Sequence, residues 1–170
     1  MKTLILPLVA ALLAGVAGAS EAWSTNPAEA MQQAAARKKG VILEFTGSDW
    51  CGACIMQKKQ ALSLPKVQED IARSFIPVEL DYPRKKQQAE QTKASLETYK
   101  KSYGITGFPT LVFADAQGRP VHTVVGYSNP DQVMQDTEKA AEALKTQQAL
   151  TAKLAGQLTE QERRDALVQL

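Results

Sequence analysis

The sequence feature that most constrains the fold is an apolar strand pattern that leads directly into a pair of cysteines, within residues 41–54. Residues 41–45 are almost wholly apolar, which is typical of a strand buried on both faces. Residues 46–49, Thr-Gly-Ser-Asp, predict a turn, and the residues from Ala53 onward predict a helix. Cys51 and Cys54 are therefore predicted to lie where a buried strand gives way to the N-terminus of a helix.

This position has a chemical consequence for the two thiols. The unpaired N–H groups and the dipole of a helix N-terminus stabilise negative charge, so they favour the thiolate form of Cys51, which we expect to be exposed. Cys54 lies one turn further along and can close a disulfide with Cys51. Such a pair can perform thiol–disulfide exchange, in which one sulfur attacks and the other resolves the mixed disulfide.

Two other uses of a cysteine pair remain open on spacing alone. A structural disulfide would close only a very small loop here, which constrains little of the unfolded chain. A structural zinc site needs four ligands, and the chain adds only His122 to its two cysteines. The spacing favours redox chemistry, and we expect neither a metal nor a bound cofactor.

Residues 1–19 have the pattern of a secretory signal peptide. Lys2 precedes an apolar stretch at residues 4–16, and Ala-Gly-Ala at residues 17–19 is typical of a cleavage site. The apolar stretch is shorter than the ~20 residues that span a bilayer. We therefore expect export to the periplasm or the extracellular space, with no membrane anchor.

The remainder is about 150 residues long, which suits one domain. We expect this domain at residues 20–150 and a helical extension at 151–170. The charge is close to neutral and no basic stripe is evident, which argues against a nucleic-acid partner. We expect a monomer.

The other elements follow from turn and capping signals. Asn26-Pro27 and Asn129-Pro130 each predict a helix start, and Gly40 is expected to close the first helix. Pro65 predicts a kink or a break. His122 is expected to be a half-exposed strand residue rather than a catalytic base, because nothing nearby in the sequence pairs with it. The remaining predictions are strands at 75–80, 110–114 and 121–125, a long charged helix at 84–101, and a last helix opened by the capping box Thr159-x-x-Glu162. This order predicts an α/β fold with a mixed sheet and helices on both faces.

These motifs carry a family resemblance. The chain resembles thioredoxin-fold proteins, in particular exported bacterial thioredoxin-like proteins with a G-S-D-W-C-x-x-C active site. The matching residues are Trp50 to Cys54, Tyr103-Gly104-Ile105, Gly107, Pro109-Thr110 and Gly126. The resemblance covers residues 23–144.

The resemblance implies a role for each matching residue. Cys51 would be the nucleophile and Cys54 the resolving thiol, and Glu44 would be a buried acid that takes a proton from Cys54. Pro109 would be a cis-proline, and the backbone of Phe108 would pair with the substrate chain. Trp50, Gly52 and Ala53 would complete the substrate-binding surface.

The chain also departs from the family pattern. The lysine that partners the buried acid in thioredoxin has no clear match, because Pro77 falls near that place. Phe108 is bulkier than the usual residue before the cis-proline. Ala53 replaces proline, and no histidine lies between the cysteines as it does in strong oxidases of this fold. The resemblance therefore favours a reductase or isomerase.

We therefore predict an exported thiol–disulfide oxidoreductase that acts on protein thiols and disulfides and needs an upstream electron donor. A narrower form of this prediction is electron delivery to a cytochrome or metallochaperone pathway. The alternative is a binding or chaperone-like module in which the disulfide is passive.

Overall fold

The computed structural model describes residues 22–168, and side chains as far as residue 157. The predicted signal peptide at residues 1–19 lies outside the described residues. Within the described range, no helix is both long enough and apolar enough to cross a membrane.

The centre of the fold is a mixed sheet of four strands, as the sequence predicts. The strands are β1 (Gly40–Thr46), β2 (Phe75–Asp81), β3 (Thr110–Ala114) and β4 (Pro120–Val125). Their order across the sheet is β2-β1-β3-β4, with β1 parallel to β2 and the other two pairings antiparallel. The central strand β1, which leads to the cysteines, is buried at every residue.

Helices cover both faces of this sheet. Their bounds are α1 (Pro27–Arg37), α2 (Gly52–Gln57), α3 (Pro65–Ser74), α4 (Glu90–Ser102) and α5 (Pro130–Val168). A π-helical turn, Lys58–Leu62, continues α2. Ala30 of α1 and Leu96 of α4 join one core cluster, whereas Ile71 of α3 and Val133 of α5 join the cluster on the opposite face. This arrangement leaves the cysteine-bearing start of α2 at the carboxyl end of β1.

The starts of α1 and α5 follow the predicted capping, whereas the boundaries near Pro65 and Gly40 differ from the prediction. Asn26 accepts a hydrogen bond from Glu29 N at 3.3 Å, and Asn129 accepts one from Gln132 N at 2.9 Å. Pro65 is the first residue of α3 rather than a kink, because its missing N–H is harmless there. The cap of α1 is Lys38 in the left-handed conformation, not Gly40. Gly40 instead opens β1, where a Cβ would collide with the carbonyl oxygen of Ala114.

The predicted helix at 84–101 begins later, at Glu90. The backbone N–H groups of Arg84, Lys85 and Lys86 all donate to the carboxylate of Asp49, at 2.8 to 3.0 Å. A distant side chain therefore holds this segment as a loop, and helical composition alone could not reveal that contact.

The C-terminal extension continues α5 and does not form a separate helix. Thr159 and Glu162 lie inside α5, so the predicted capping box does not start a helix there. Residues 145–158 contain no proline and a single glycine, Gly156, and are otherwise rich in good helix formers. Nothing in this stretch interrupts the helix, so the backbone passes through residue 159 without a new start.

Candidate active site

Cys51 and Cys54 form a disulfide at the start of α2. Cys51 is the N-cap of this helix, and its Sγ accepts a hydrogen bond from Cys54 N at 3.2 Å. Cys51 is only 8% exposed, so the expectation of an exposed cysteine is wrong for this disulfide form, in which the sulfur is turned back toward α2. Cys54 is 1% exposed, which leaves Cys51 as the more accessible residue of the two.

An aromatic cluster lies beside the disulfide. Trp50 Nε1 donates to the carbonyl oxygen of Tyr82 at 2.8 Å. The ring of Trp50 meets Phe108 edge to face at 5.8 Å between centroids, and Phe108 contacts the ring of Tyr82 at 5.1 Å. The structure therefore brings together Trp50 and Phe108, which lie far apart in the sequence.

The segment before β3 has the predicted backbone geometry. The Phe108–Pro109 peptide bond is cis, as the resemblance implies. The carbonyl oxygen of Pro109 accepts a hydrogen bond from Gly126 N at 2.8 Å, and Gly126 has a positive φ of 94°. Gly52 is exposed and Ala53 is partly exposed, so both can be reached by a partner chain.

Glu44 is fully buried in the middle of β1. Its Oε2 lies 3.3 Å from Lys58 Nζ, whereas its Oε1 has no hydrogen-bond partner among the described residues. Burial raises the pKa of Glu44 to about 7, the Lys58 charge opposes this rise, and the Glu79 charge adds to it. Glu44 can therefore exchange a proton near neutral pH.

Lys58 supplies the lysine that sequence analysis did not find. Its Nζ also contacts Glu79 Oε2 at 2.6 Å, and it lies over the ring of Trp23 at 4.2 Å from the centroid. In thioredoxin the lysine that partners the buried acid falls near the position of Pro77. In this protein the partner of Glu44 is instead Lys58, which lies in the helical segment after Cys54. Its position one turn after Cys54 places it near that cysteine on the helical segment, but no local pattern in the sequence pairs it with Glu44.

A cavity of about 420 Å³ is bordered both by this ionic cluster and by Cys54. Its lining includes Cys54, Ile55, Lys58 and Glu79, with Thr46 and Ser48 at the end of β1. Cys54 and the cation that pairs with Glu44 therefore face the same space.

Gln57 is a second residue that sequence analysis missed. Its side chain is fully buried, and its Oε1 accepts a hydrogen bond from Ser128 N at 2.8 Å. This bond ties the cysteine helix to the loop between β4 and α5. The sequence around Gln57 does not indicate this contact, because Ser128 lies 71 positions further along the chain.

His122 does not belong to the site. It is half-buried, as expected, and its Nε2 lies 2.9 Å from Asp136 Oδ1 on α5, 14 positions along the chain. No group of three or more histidine, cysteine or acidic residues within the described part of the chain could hold a metal ion.

A mixed sheet with a Cys-x-x-Cys disulfide at a helix start and a cis-proline directly before β3 defines the class of redox-active thioredoxin-fold proteins. The model of the thioredoxin-like domain family matches residues 27–141, which is more than half of the chain. The chain therefore belongs to the thioredoxin-like family.

Three relatives are informative. The disulfide bond reductase DsbH of Chlamydia pneumoniae is 36% identical over 104 residues, which cover 61% of this chain and 62% of the relative. The thiol:disulfide interchange protein DsbD of Yersinia pestis is 31% identical over 106 residues, 60% of this chain but 16% of that protein. A solved DsbH oxidoreductase superposes with a TM-score of 0.63 at 30% identity, covering 85% of this chain and 94% of that one. The chain thus matches less than two thirds of the length of both curated relatives.

Proposed function

We propose that this protein is an exported thiol–disulfide oxidoreductase that reduces disulfides in other proteins. The observation that carries the proposal is the placement of the Cys51–Cys54 pair. Cys51, the more accessible of the two cysteines, caps a helix and directly follows Trp50, whose ring contacts Phe108 of the cis Phe108–Pro109 bond. The buried Cys54 lines a cavity together with Lys58, the cation that pairs with the buried carboxyl group of Glu44.

In the proposed reaction the reduced protein attacks a substrate disulfide. The Cys51 thiolate forms a bond to one substrate sulfur, and the bond between the two substrate sulfurs breaks, releasing one substrate thiolate. The Cys54 thiolate then attacks Cys51 Sγ, which releases the second substrate thiolate and leaves the Cys51–Cys54 disulfide. The substrate gains two electrons, and this disulfide form is the state that the structure describes.

Glu44 is proposed to receive the proton that Cys54 must lose before it can attack. A carboxyl group with a pKa of about 7 can accept a proton at neutral pH and release it again. The unpartnered Oε1 of Glu44 supports this role, because a buried acceptor without a donor is free to bind a proton. Lys58 positions the carboxyl group through the other oxygen.

Trp50, Gly52, Ala53, Phe108 and Pro109 are proposed to contact the substrate chain. Phe108 would offer its backbone to the extended substrate, while Trp50 and Phe108 provide an aromatic edge next to the reacting sulfur. The reaction needs no bound cofactor.

Reduction is favoured over oxidation by two observations. The relative at 36% identity is named a disulfide bond reductase, and Gly52-Ala53 places no histidine between the cysteines to stabilise the thiolate further. A reductase must be recharged, so we propose an upstream dithiol protein as the electron donor. Residues 1–19 support export.

Trapping experiments distinguish this proposal from a passive binding module. We expect the reduced Cys54→Ser variant to accumulate mixed disulfides with substrate proteins, and the Cys51→Ser variant to lose insulin reduction. A binding module would keep the same partners in both variants, without any bond that dithiothreitol breaks, and that result would contradict the proposal.

A further inference from the structure

A loop of three consecutive cations is fixed next to the active site by the redox motif itself. Asp49, which precedes Trp50, accepts three backbone hydrogen bonds from Arg84, Lys85 and Lys86, at 2.9, 2.8 and 3.0 Å. The hydrogen bond from Arg84 N is the largest of the effects that lower the pKa of Asp49 below its usual value. The loop is therefore anchored through its backbone, and its side chains are not needed for that anchor.

The side chains of this loop are exposed, and Arg84 lies against the active-site aromatic cluster. The Arg84 guanidinium carbon is 3.7 Å from the centroid of the Trp50 ring, which is a cation–π contact. Lys100 approaches the same cluster, 5.9 Å from the centroid of Phe108. Cationic groups therefore border the surface where a substrate disulfide must dock.

The three charges of the loop are not neutralised by ion pairs, whereas Lys100 Nζ lies 3.9 Å from Glu97 Oε1. Among the described residues, Arg84, Lys85 and Lys86 form no ion pair within 4.0 Å, and Lys86 Nζ donates a hydrogen bond to Ser48 Oγ at 3.5 Å. Asp49 is engaged by backbone amides, and Asp81 accepts from Ser48 N and Oγ. The loop and its two neighbouring carboxylates together keep a net positive charge.

We propose that the loop Arg84–Lys86 is a docking surface for acidic segments of the substrate, which rests on the proposed function. The occupant is a stretch of Asp or Glu residues close to the disulfide that Cys51 attacks. Charge complementarity supports this choice, since exposed cations at an interface raise the association rate of acidic partners and select against basic ones. The aromatic cluster contacts the disulfide-bearing segment, and the loop contacts the acidic residues beside it.

The experiment compares three disulfide peptides of one sequence, flanked by Asp and Glu, by Ser and Gln, or by Lys. Reduced protein is mixed with each peptide and the rate constant of disulfide transfer is measured at low and high salt. We expect the acidic peptide to react about fivefold faster than the neutral one, since exposed ion pairs contribute modestly. This ratio should approach one between about 0.01 M and 1 M ionic strength, because salt screens exposed charges.

A charge-matched pair of variants tests the location. The Lys85→Gln, Lys86→Gln variant should lose most of the acidic-to-neutral ratio. The control variant, Lys145→Gln, Lys153→Gln, removes the same two charges from the exposed surface of α5. It should keep the acidic-to-neutral rate ratio of the unchanged protein. Equal losses in both variants, or equal rates for all three peptides, would overturn the docking proposal while leaving reductase activity intact.

Two other outcomes are equally decisive. If no peptide is reduced, the proposed function fails, and the docking proposal fails with it. If the peptide rates are equal but the Lys85→Gln, Lys86→Gln variant loses sedimentation with phosphatidylglycerol vesicles, the loop binds anionic lipid and the proposal is wrong.

Discussion

Glu44 and Glu79 lie directly opposite each other on the parallel strands β1 and β2. Like charges in this position repel, and Lys58 Nζ offsets the repulsion by contacting both carboxylates, at 3.3 and 2.6 Å. Glu44 is fully buried, whereas the side chain of Glu79 is 26% exposed. Lys58 thus connects the interior carboxyl group to one that reaches solvent.

This relationship predicts opposite pKa shifts for two variants. Lys58→Met removes a cation that lowers the pKa of Glu44, so the pKa should rise above about 7. Glu79→Gln removes an anion that raises it, so the pKa should fall. The measurement is a carboxyl-carbon NMR titration of the oxidised protein. Lys59→Met, an exposed neighbour, is the control, and shifts of the same sign in both variants would contradict the account.

The raised pKa of Glu44 also predicts a pH-dependent stability. The folded pKa is about 7 and the ordinary value is 4.5, so the unfolded chain loses its proton first as the pH rises. Stability should therefore fall between about pH 4.5 and 7, by roughly 3 kcal/mol from this group. Urea unfolding of the oxidised protein at several pH values measures this.

The Glu44→Gln variant should lose most of that slope, because glutamine does not titrate. The other aspartate and glutamate residues contribute equally to the pH dependence of stability in both proteins, so the difference between the two slopes reports Glu44. An unchanged slope in the variant would show that Glu44 ionises in the folded protein as it does in the unfolded chain.

The buried Gln57 predicts a structural cost on substitution. Gln57→Ala leaves Ser128 N without its acceptor and opens space in the core, so we expect a loss of about 1–3 kcal/mol in the free energy of unfolding. The matched control is Gln60→Ala on the exposed side of the same helical segment, expected to change stability by less than about 0.5 kcal/mol. If the two substitutions lower the free energy of unfolding equally, the buried hydrogen bond of Gln57 does not contribute more to stability than an exposed side chain.

The three hydrogen bonds to Asp49 predict a local change in dynamics. Asp49→Ala should accelerate amide hydrogen exchange at Arg84, Lys85 and Lys86 by about tenfold, because these N–H groups lose their only acceptor among the described residues. Amides of β1 should keep their protection. Asp131→Ala, at the start of α5, is the control, and unchanged exchange in the loop would contradict the proposed anchor.

Sequence reasoning predicted the features that depend on local signals. The buried strand β1, the helix that starts with the cysteines, and the Asn caps at Asn26 and Asn129 follow from residue periodicity and capping chemistry. The cis bond before Pro109 came from the family resemblance and is confirmed by the structure. Residue periodicity alone could not have indicated it.

The features that sequence reasoning missed depend on contacts between distant segments. Lys58 and Glu79 are 21 positions apart, and Asp49 lies 35 positions before Arg84. No local pattern indicates that such side chains meet, because the contacts depend on how the segment after β1 packs against β2 and the loop that follows β2. For the same reason the loop at 84–89 was predicted as helix, and the partner of the buried acid was sought near Pro77.

The reduction potential of the Cys51–Cys54 pair tests the central claim most directly. The protein would be equilibrated in redox buffers of known potential, and its free thiols counted by alkylation and mass spectrometry. If the protein is a reductase of this fold, we expect a reduction potential of about −270 mV. A reduction potential of about −120 mV would indicate an oxidase. A cysteine pair that stays oxidised well below about −300 mV would indicate a structural disulfide. Either of these results would contradict the proposed function.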